Sequence, residues 1–450
     1  MQSETAFFLP RDIDADLDHW LEPFLDATGR STRRKSVQPM AERLGLSSHD
    51  PLHHFISSPA WDDAPLWRVL ADQVDRQVGG EGAVLVVDES GIPKKGELSV
   101  GVARQYCGAL GKVANAQVLV TLTLARGEVP LPVGLRLFLP ATWTDDAERC
   151  EAAGVPEAAR TAQSKPEIAL AEIDRVREAG LRFSCVLADA GFGSSPAFRH
   201  GLDERELAWA AGIASTQLVY PTTVKLRPAS TPTGRRAKHP VPNRPPRSAA
   251  EMLETQRWRR ITWRNGTKGP LNARFAAVRV RVADGPPNAE GTRLPGEEVW
   301  LIGEWRDSGE KKYYLSSLPK RTSLRRLAAS VKARWSCEQV HQQLKQELGL
   351  GDFEGRSWTG LHRHALMTCI AFAYLQHRRL KAAGRGKKAR LAKLAGNQLA
   401  LSAFHSRRCR WPEHQSASGR IGKRYCGRRR RLARPAASRC ACATTTAAPW

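Results

Sequence analysis

The chain has 450 residues, 41% of them hydrophobic, and a formal net charge of +25, which is enough apolar material for a sizeable core in two or three domains and a charge suited to a polyanionic partner. No run of about 18 apolar residues occurs and no basic segment leads into an apolar one at the start, which argues against a membrane span, a membrane partner or a signal peptide and for a cytoplasmic, nucleoid-associated protein. Nine scattered cysteines, odd in number, fit a disulfide framework poorly, and the lack of a CxxC pair argues against zinc; Cys107, Cys185, Cys337 and Cys369 read as small core residues.

Residues 1–76 are expected to form several short helices, with a basic cluster at Arg33, Arg34 and Lys35; this region either grips a DNA end or caps the core. Residues 77–215 read as strands over Ala83–Val87, Ala116–Leu124 and Val133–Phe138, a helix over Glu167–Glu178, then strands over Phe183–Leu187 and Trp209–Ile213. Three strands on short links followed by helix–strand alternation suit an α/β, ribonuclease H-like core, a mixed sheet with flanking helices. The Lys94–Lys95 pair either touches phosphate or lies in a solvated turn. Gly108-Ala-Leu-Gly111-Lys112 is too short for a phosphate-binding Walker loop.

Residues 216–320 read as a β-rich, basic insertion domain. Between Pro221 and Val282, 15 Lys or Arg face only Glu251 and Glu254, a local charge of +13. Arg257, Arg259, Arg260 and Arg264 are expected to contact DNA phosphates, while Trp258 and Trp263 either stack on unpaired bases or fill the core from one face of a strand. Residues 321–380 complete the core. Here Val331–Leu350 reads as one helix ending at Gly349, with Arg334, Glu338 and Lys345 on one stripe and Val340, Leu344 and Leu348 on another. A second helix follows across Ser357–Leu375, on which His362 and His364 read as surface or cap residues. From Arg378 to Trp450, 20 Lys or Arg stand against the single Glu413; residues 381–450 are either a disordered basic arm or an out-of-frame end.

Two apolar runs, A-V-L-V-V-D-E-S-G and F-S-C-V-L-A-D-A-G-F-G, each end in an aspartate, Asp88 and Asp189. Either one alone is as readily a turn former or a helix cap. With Glu338 they make three carboxylates that would repel one another unless divalent cations sat between them, and all-oxygen ligands of that kind suit Mg²⁺ or Mn²⁺. Glu347, Asp352 and Glu354 compete with Glu338 by position. On a regular helix, however, Glu347 points about 160° away from the Arg334–Glu338–Lys345 stripe, and the other two lie beyond Gly349.

The order Asp88, Asp189, Glu338, with Arg334-x-x-x-Glu338-x6-Lys345, resembles the DDE transposases of bacterial insertion sequences, in the branch marked by Tyr-x-x-Arg-x-x-x-Glu-x6-Lys. D-E-S-G-I-P-K-K-G from Asp88, S-V-G-V-A-R-Q-Y-C-G-A-L-G-K-V-A-N from Ser99, A-D-A-G-F-G from Ala188 and E-L-G-L-G-D-F-E-G-R-S-W from Glu347 are similar to that family too, so the likeness covers roughly residues 30–380. The motif's tyrosine position holds Val331. The resemblance implies that Asp88, Asp189 and Glu338 bind two metal ions and catalyse strand cleavage and strand transfer, and that Arg334 and Lys345 contact DNA-end phosphates. It also implies double-stranded DNA as partner, both the terminal inverted repeats and the target, and a homo-oligomer on paired ends. Two alternatives stay open: a transposase-derived DNA-binding protein that no longer moves DNA, to which Val331 and the tail point, and a metal-dependent nuclease without strand transfer.

Overall fold

Among the described residues, helices lead into the sheet. α1 (Asp50–Ser57) buries none of its residues, whereas α2 (Ala64–Val78), with a proline in its first turn, buries Trp67, Leu70, Ala71, Val74 and Val78 at helical spacing. The computed structural model describes residues 45–58, 61–228, 240–266, 269–288 and 291–385, besides Gln38, Ala41 and Glu42. All of these fall in one unit, Met1–Phe404. The Arg33–Lys35 cluster, residues 229–239 of the basic insertion and the basic tail from residue 386 on lie outside the described residues.

The A-V-L-V-V run is the start of strand β1 (Ala83–Pro93), which is buried on both faces, as a central strand demands. β1 is longer than expected. Its register with β3 (Lys112–Arg126) runs unbroken from Ala83↔Arg126 to Pro93↔Ala116, so Asp88 sits within the strand, opposite Thr121, and not at its end. The reason is that β3 continues alongside Glu89–Ile92 and satisfies their backbone groups. A short β2 (Ala103–Cys107) pairs with the start of β3, and β4 (Val129–Leu137) returns antiparallel along its far half.

α3 (Lys165–Glu178) opens on a capping box between Ser164 and Glu167 and crosses to β5 (Val186–Ala188), which pairs parallel to β1. α4 (Ala190–Gly193) and α5 (Pro196–Glu204) lead to β6 (Trp209–Ile213), parallel to β5 and with the expected bounds. The spatial order β4-β3-β1-β5-β6, three antiparallel strands followed by two parallel ones, is the ribonuclease H-like arrangement.

The segment expected as an insertion extends this same sheet. β7 (Leu218–Pro221) and β8 (Arg259–Gly266) both pair with β9 (Gly269–Val282), β9 with β10 (Glu298–Trp305), β10 with β11 (Lys311–Ser316), and β11 antiparallel to β6. Trp258 meets Trp305 edge-on and Trp263 meets Phe275, so both tryptophans pack against other aromatic side chains within the protein.

Two helical segments then cover one face. α6 (Leu324–Ala333) seats Leu327, Ala328 and Val331 against Val86, Leu187, Ala210, Phe275 and Ile302, and full burial of a Leu or Val side chain is worth roughly 1.5–3 kcal/mol. Val331 is thus a core residue. α7 (Trp335–Gln346) follows after a break at Arg334, so the single helix expected over Val331–Leu350 is two. At the break the Ser336 hydroxyl donates to the Ala333 carbonyl and the Cys337 N–H bonds Arg334 three residues back, replacing regular helical bonds.

Gly349 takes the left-handed conformation, φ 75°, and stops the run. α8 (Trp358–Arg385) packs on the opposite face. There His362 is buried, contrary to its reading as a surface or cap residue: the Leu137 N–H donates to its Nε2 at 3.2 Å and its Nδ1–H donates to the Trp358 carbonyl at 2.9 Å. His364, also largely enclosed, contacts the Gly349 carbonyl at 3.0 Å. Neither is placed as a ligand.

Candidate active site

β1 and β5 run parallel with Val87 beside Ala188, so the next residues, Asp88 and Asp189, emerge from neighbouring strands about 4.8 Å apart. Asp189 caps α4: its Oδ1 accepts from the N–H groups of Gly191 (3.0 Å) and Phe192 (3.3 Å), which fixes the carboxylate over the strand ends. The glycines of A-D-A-G-F-G have a local reason. A Cβ on Gly193 would stand 2.1 Å from the Gly212 carbonyl oxygen, so only glycine lets α4 lie this close to β6.

Alternation along β1 puts Asp88 on the face of Val86, beneath α6 and α7. From the break between those helices Arg334 reaches down. Its Nη1 donates to Asp88 Oδ2 at 2.7 Å and its Nη2 to Glu338 Oε1 at 3.1 Å. Asp189 acts electrostatically on both Asp88 and Arg334. The structure therefore brings the three acids together around one guanidinium, despite 101 and 149 residues of separation in sequence. Burial, and then the charges of Asp189 and Glu338, push the Asp88 carboxyl up to about 6 against the pull of Arg334. Glu338 itself is exposed, at the open edge of the cluster.

Lys345 is half-buried on the same side of α7, where burial lowers its pKa and Asp88 acts to raise it. Glu347 points elsewhere: with Gln343, Phe372 and Arg379 it lines a small crevice against α8. Asp352 and Glu354 lie near Lys94, whose Nζ donates to the Phe353 carbonyl; Lys95 is exposed beside it.

Of the four insertion arginines, Arg257 and Arg259 are exposed, and Arg260 pairs with Asp307 at 2.7 Å. Arg264 is the exception to a DNA-facing row. It pairs with Glu128 at 2.7 Å and lies flat over Trp335, 3.9 Å from the ring centroid. The irregular register between Thr262 and Arg264 turns this side chain toward α7.

Thr121 and Thr123 beneath α7, and His341 on it, went unread in the sequence. Thr121 donates to the Asp88 carbonyl at 3.0 Å and contacts His341 Nε2 at 2.9 Å. Cys337 Sγ lies 3.4 Å from both Thr123 Oγ1 and His341 Nε2. Burial, with Lys345 and Arg334 nearby, drops the His341 pKa to about 3. The C-x-x-x-H spacing on an expected helix was the available signal; the threonines, more than 200 residues away, gave none.

A family model described as DDE superfamily endonuclease matches residues 10–270, more than half of the chain. The chain belongs to that family. The match takes in Asp88 and Asp189 and stops short of Glu338, and a dependence on divalent metal goes with the membership. A relative from Microchaete diplosiphon, described as a probable transposase for insertion sequence element IS701, is 32% identical over 188 residues, 42% of this chain and 46% of the relative. The chain thus spans just under half of that relative's length. Among solved structures, the piggyBac transposase synaptic complex with hairpin DNA aligns over 88% of this chain and 71% of its own at 12% identity, TM-score 0.39. The NurA nuclease from Sulfolobus solfataricus aligns over 73% of this chain and 97% of its own at 8% identity, TM-score 0.26.

Proposed function

We propose that the protein is the transposase of an insertion sequence, cutting DNA at the element's terminal inverted repeats and joining the freed ends to target DNA. The observation that carries this reading is the convergence of Asp88, Asp189 and Glu338 on Arg334. Three carboxylates that need positive charge, all offering oxygen, fit hard divalent ions, and we assign them to two Mg²⁺ or Mn²⁺. Such a pair supplies activation of the attacking oxygen and stabilisation of the leaving one in phosphodiester displacement.

The chain's own residues do the rest. Asp189, locked by its cap bonds, and Asp88, locked in mid-strand, hold rigid donors; Glu338, on the exposed turn of α7, closes the set from the side that DNA approaches. Lys345 and Arg334 flank the carboxylates and are assigned to phosphates of the DNA end. Lys94 and Lys95, at the end of β1, together with Arg257, Arg259 and Arg260 of the insertion, are assigned to the flanking duplex. A homo-oligomer holding two ends at once completes the proposal.

The test is cleavage of terminal-repeat duplex by the purified chain with Mg²⁺, followed by capture of the 3′ ends in a target plasmid. Asp88→Asn, Asp189→Asn and Glu338→Gln should each abolish cleavage while DNA still binds. Binding lost together with activity in all three would overturn the site assignment, and cleavage without end-joining would reduce the protein to a nuclease.

A further inference from the structure

Asp88 has a second set of neighbours. One of its carboxylate oxygens, Cys337 Sγ and a ring nitrogen of His341 all lie within 4.8 Å of one another. Cys337 and His341 stand one turn apart on α7 and present their donor atoms to the same point above β1 and β3. Their separation, 3.4 Å, is close to the edge of about 3.5 Å that a tetrahedral zinc with Zn–S near 2.3 Å and Zn–N near 2.0–2.1 Å requires. Thr121 Oγ1 lies 2.9 Å from the same Nε2 and Thr123 Oγ1 3.4 Å from Sγ, so both ligand atoms face polar partners that a bound ion would replace. The missing CxxC pair is no obstacle, because the third ligand comes from a strand 249 residues earlier in the chain.

We propose that Asp88, Cys337 and His341 form a second cation site, selective for a soft divalent ion such as Zn²⁺, which shares Asp88 with the oxygen-only site and keeps that site from filling. Thiolate and imidazole favour Zn²⁺ over Mg²⁺, and three protein ligands leave the fourth tetrahedral position to water. On binding, the Cys337 S–H bond is exchanged for an S–Zn bond and its proton leaves to solvent; the neutral imidazole, whose Nε2–H donates to Thr121 while Thr121 donates to the Asp88 carbonyl, moves that proton to Nδ1 and binds through Nε2. Because one carboxylate serves both sites, occupation of the soft one removes a ligand from the hard one. That inhibitory consequence rests on the function proposed above, whereas the binding itself does not.

The full-length chain titrated with Co²⁺, which reports tetrahedral thiolate ligation by a charge-transfer band in the near ultraviolet, should develop that band and lose it when Zn²⁺ is added. Cys337→Ser and His341→Gln should each lose the Cys337-dependent band and weaken Zn²⁺ binding by about 100-fold or more, since even an outer partner of a metal ligand is worth 10–100-fold. Thermal unfolding of both variants reports whether they are folded, and either one alone suffices. A band that is absent from the wild-type protein, or that persists unchanged in a folded variant, overturns the site. Zn²⁺ should inhibit Mg²⁺-dependent cleavage in the wild type and far less in Cys337→Ser. Equal inhibition of both, with the band behaving as expected, would leave the binding site standing and overturn its control of the active site.

Discussion

Asp88 makes a prediction about stability as well as chemistry. Its carboxyl binds a proton more tightly in the folded chain, near pH 6, than at the ordinary value of 3.8. The stability this group contributes is therefore full below the unfolded value and lost as pH rises through about 6, a change of ~3 kcal/mol at most. Without divalent ions, the urea midpoint of the wild type should fall across that window more steeply than that of Asp88→Asn, and parallel curves would show that the burial is relieved some other way. Glu338 and Glu347 separate by the same kind of local reasoning. Glu338→Gln should eliminate Mg²⁺-dependent cleavage and Glu347→Gln leave most of it, because Glu347 lines the crevice against α8; the reverse result would undo the register of α7. That register was readable from angular arithmetic on one helix. The contact of Arg334 with Asp88 was not, because the two lie 246 residues apart and nothing local pairs them.

Among the elements, α6 and α7 were legible as helix from composition, but their break was not, since it comes from Ser336 competing for a backbone carbonyl in a stretch of good helix formers. The break has a brace. Arg264 on β8 stacks on Trp335 at the first turn of α7 and pairs with Glu128 at the turn between β3 and β4, while Lys332 on α6 bonds the buried Glu304 of β10 at 2.8 Å. Arg264→Ala should therefore lower cleavage by about 10–100-fold through misplacement of Glu338, with the affinity for DNA and its salt dependence unchanged. An equal loss of affinity would return Arg264 to the DNA-facing row in which its neighbours in sequence had placed it.

At the scale of the whole molecule, each strand of the insertion was visible from its alternation of side chains, yet its attachment was not. Pairing of β11 with β6, and of β7 and β8 along one edge of β9 at its opposite ends, is set by long-range register that no local pattern encodes. With Arg264 engaged inside the protein, Arg257 and Arg259 become the side chains to test against DNA. Replacing both with Ala should reduce the slope of log affinity against log salt by about 2, near 0.9 per lost phosphate contact, and an unchanged slope would turn that face away from DNA.

The chain order of the three acids has a consequence for synthesis. Two of them belong to a sheet core laid down by residue 213, whereas the third arrives only after the whole extension from β7 to β11 has been made. On the proposed assignment, a ribosome that stalls or a message that ends within that extension releases a product with a nearly complete core strand order and no closing carboxylate. An unfinished copy is therefore unable to cut the genome that encodes it.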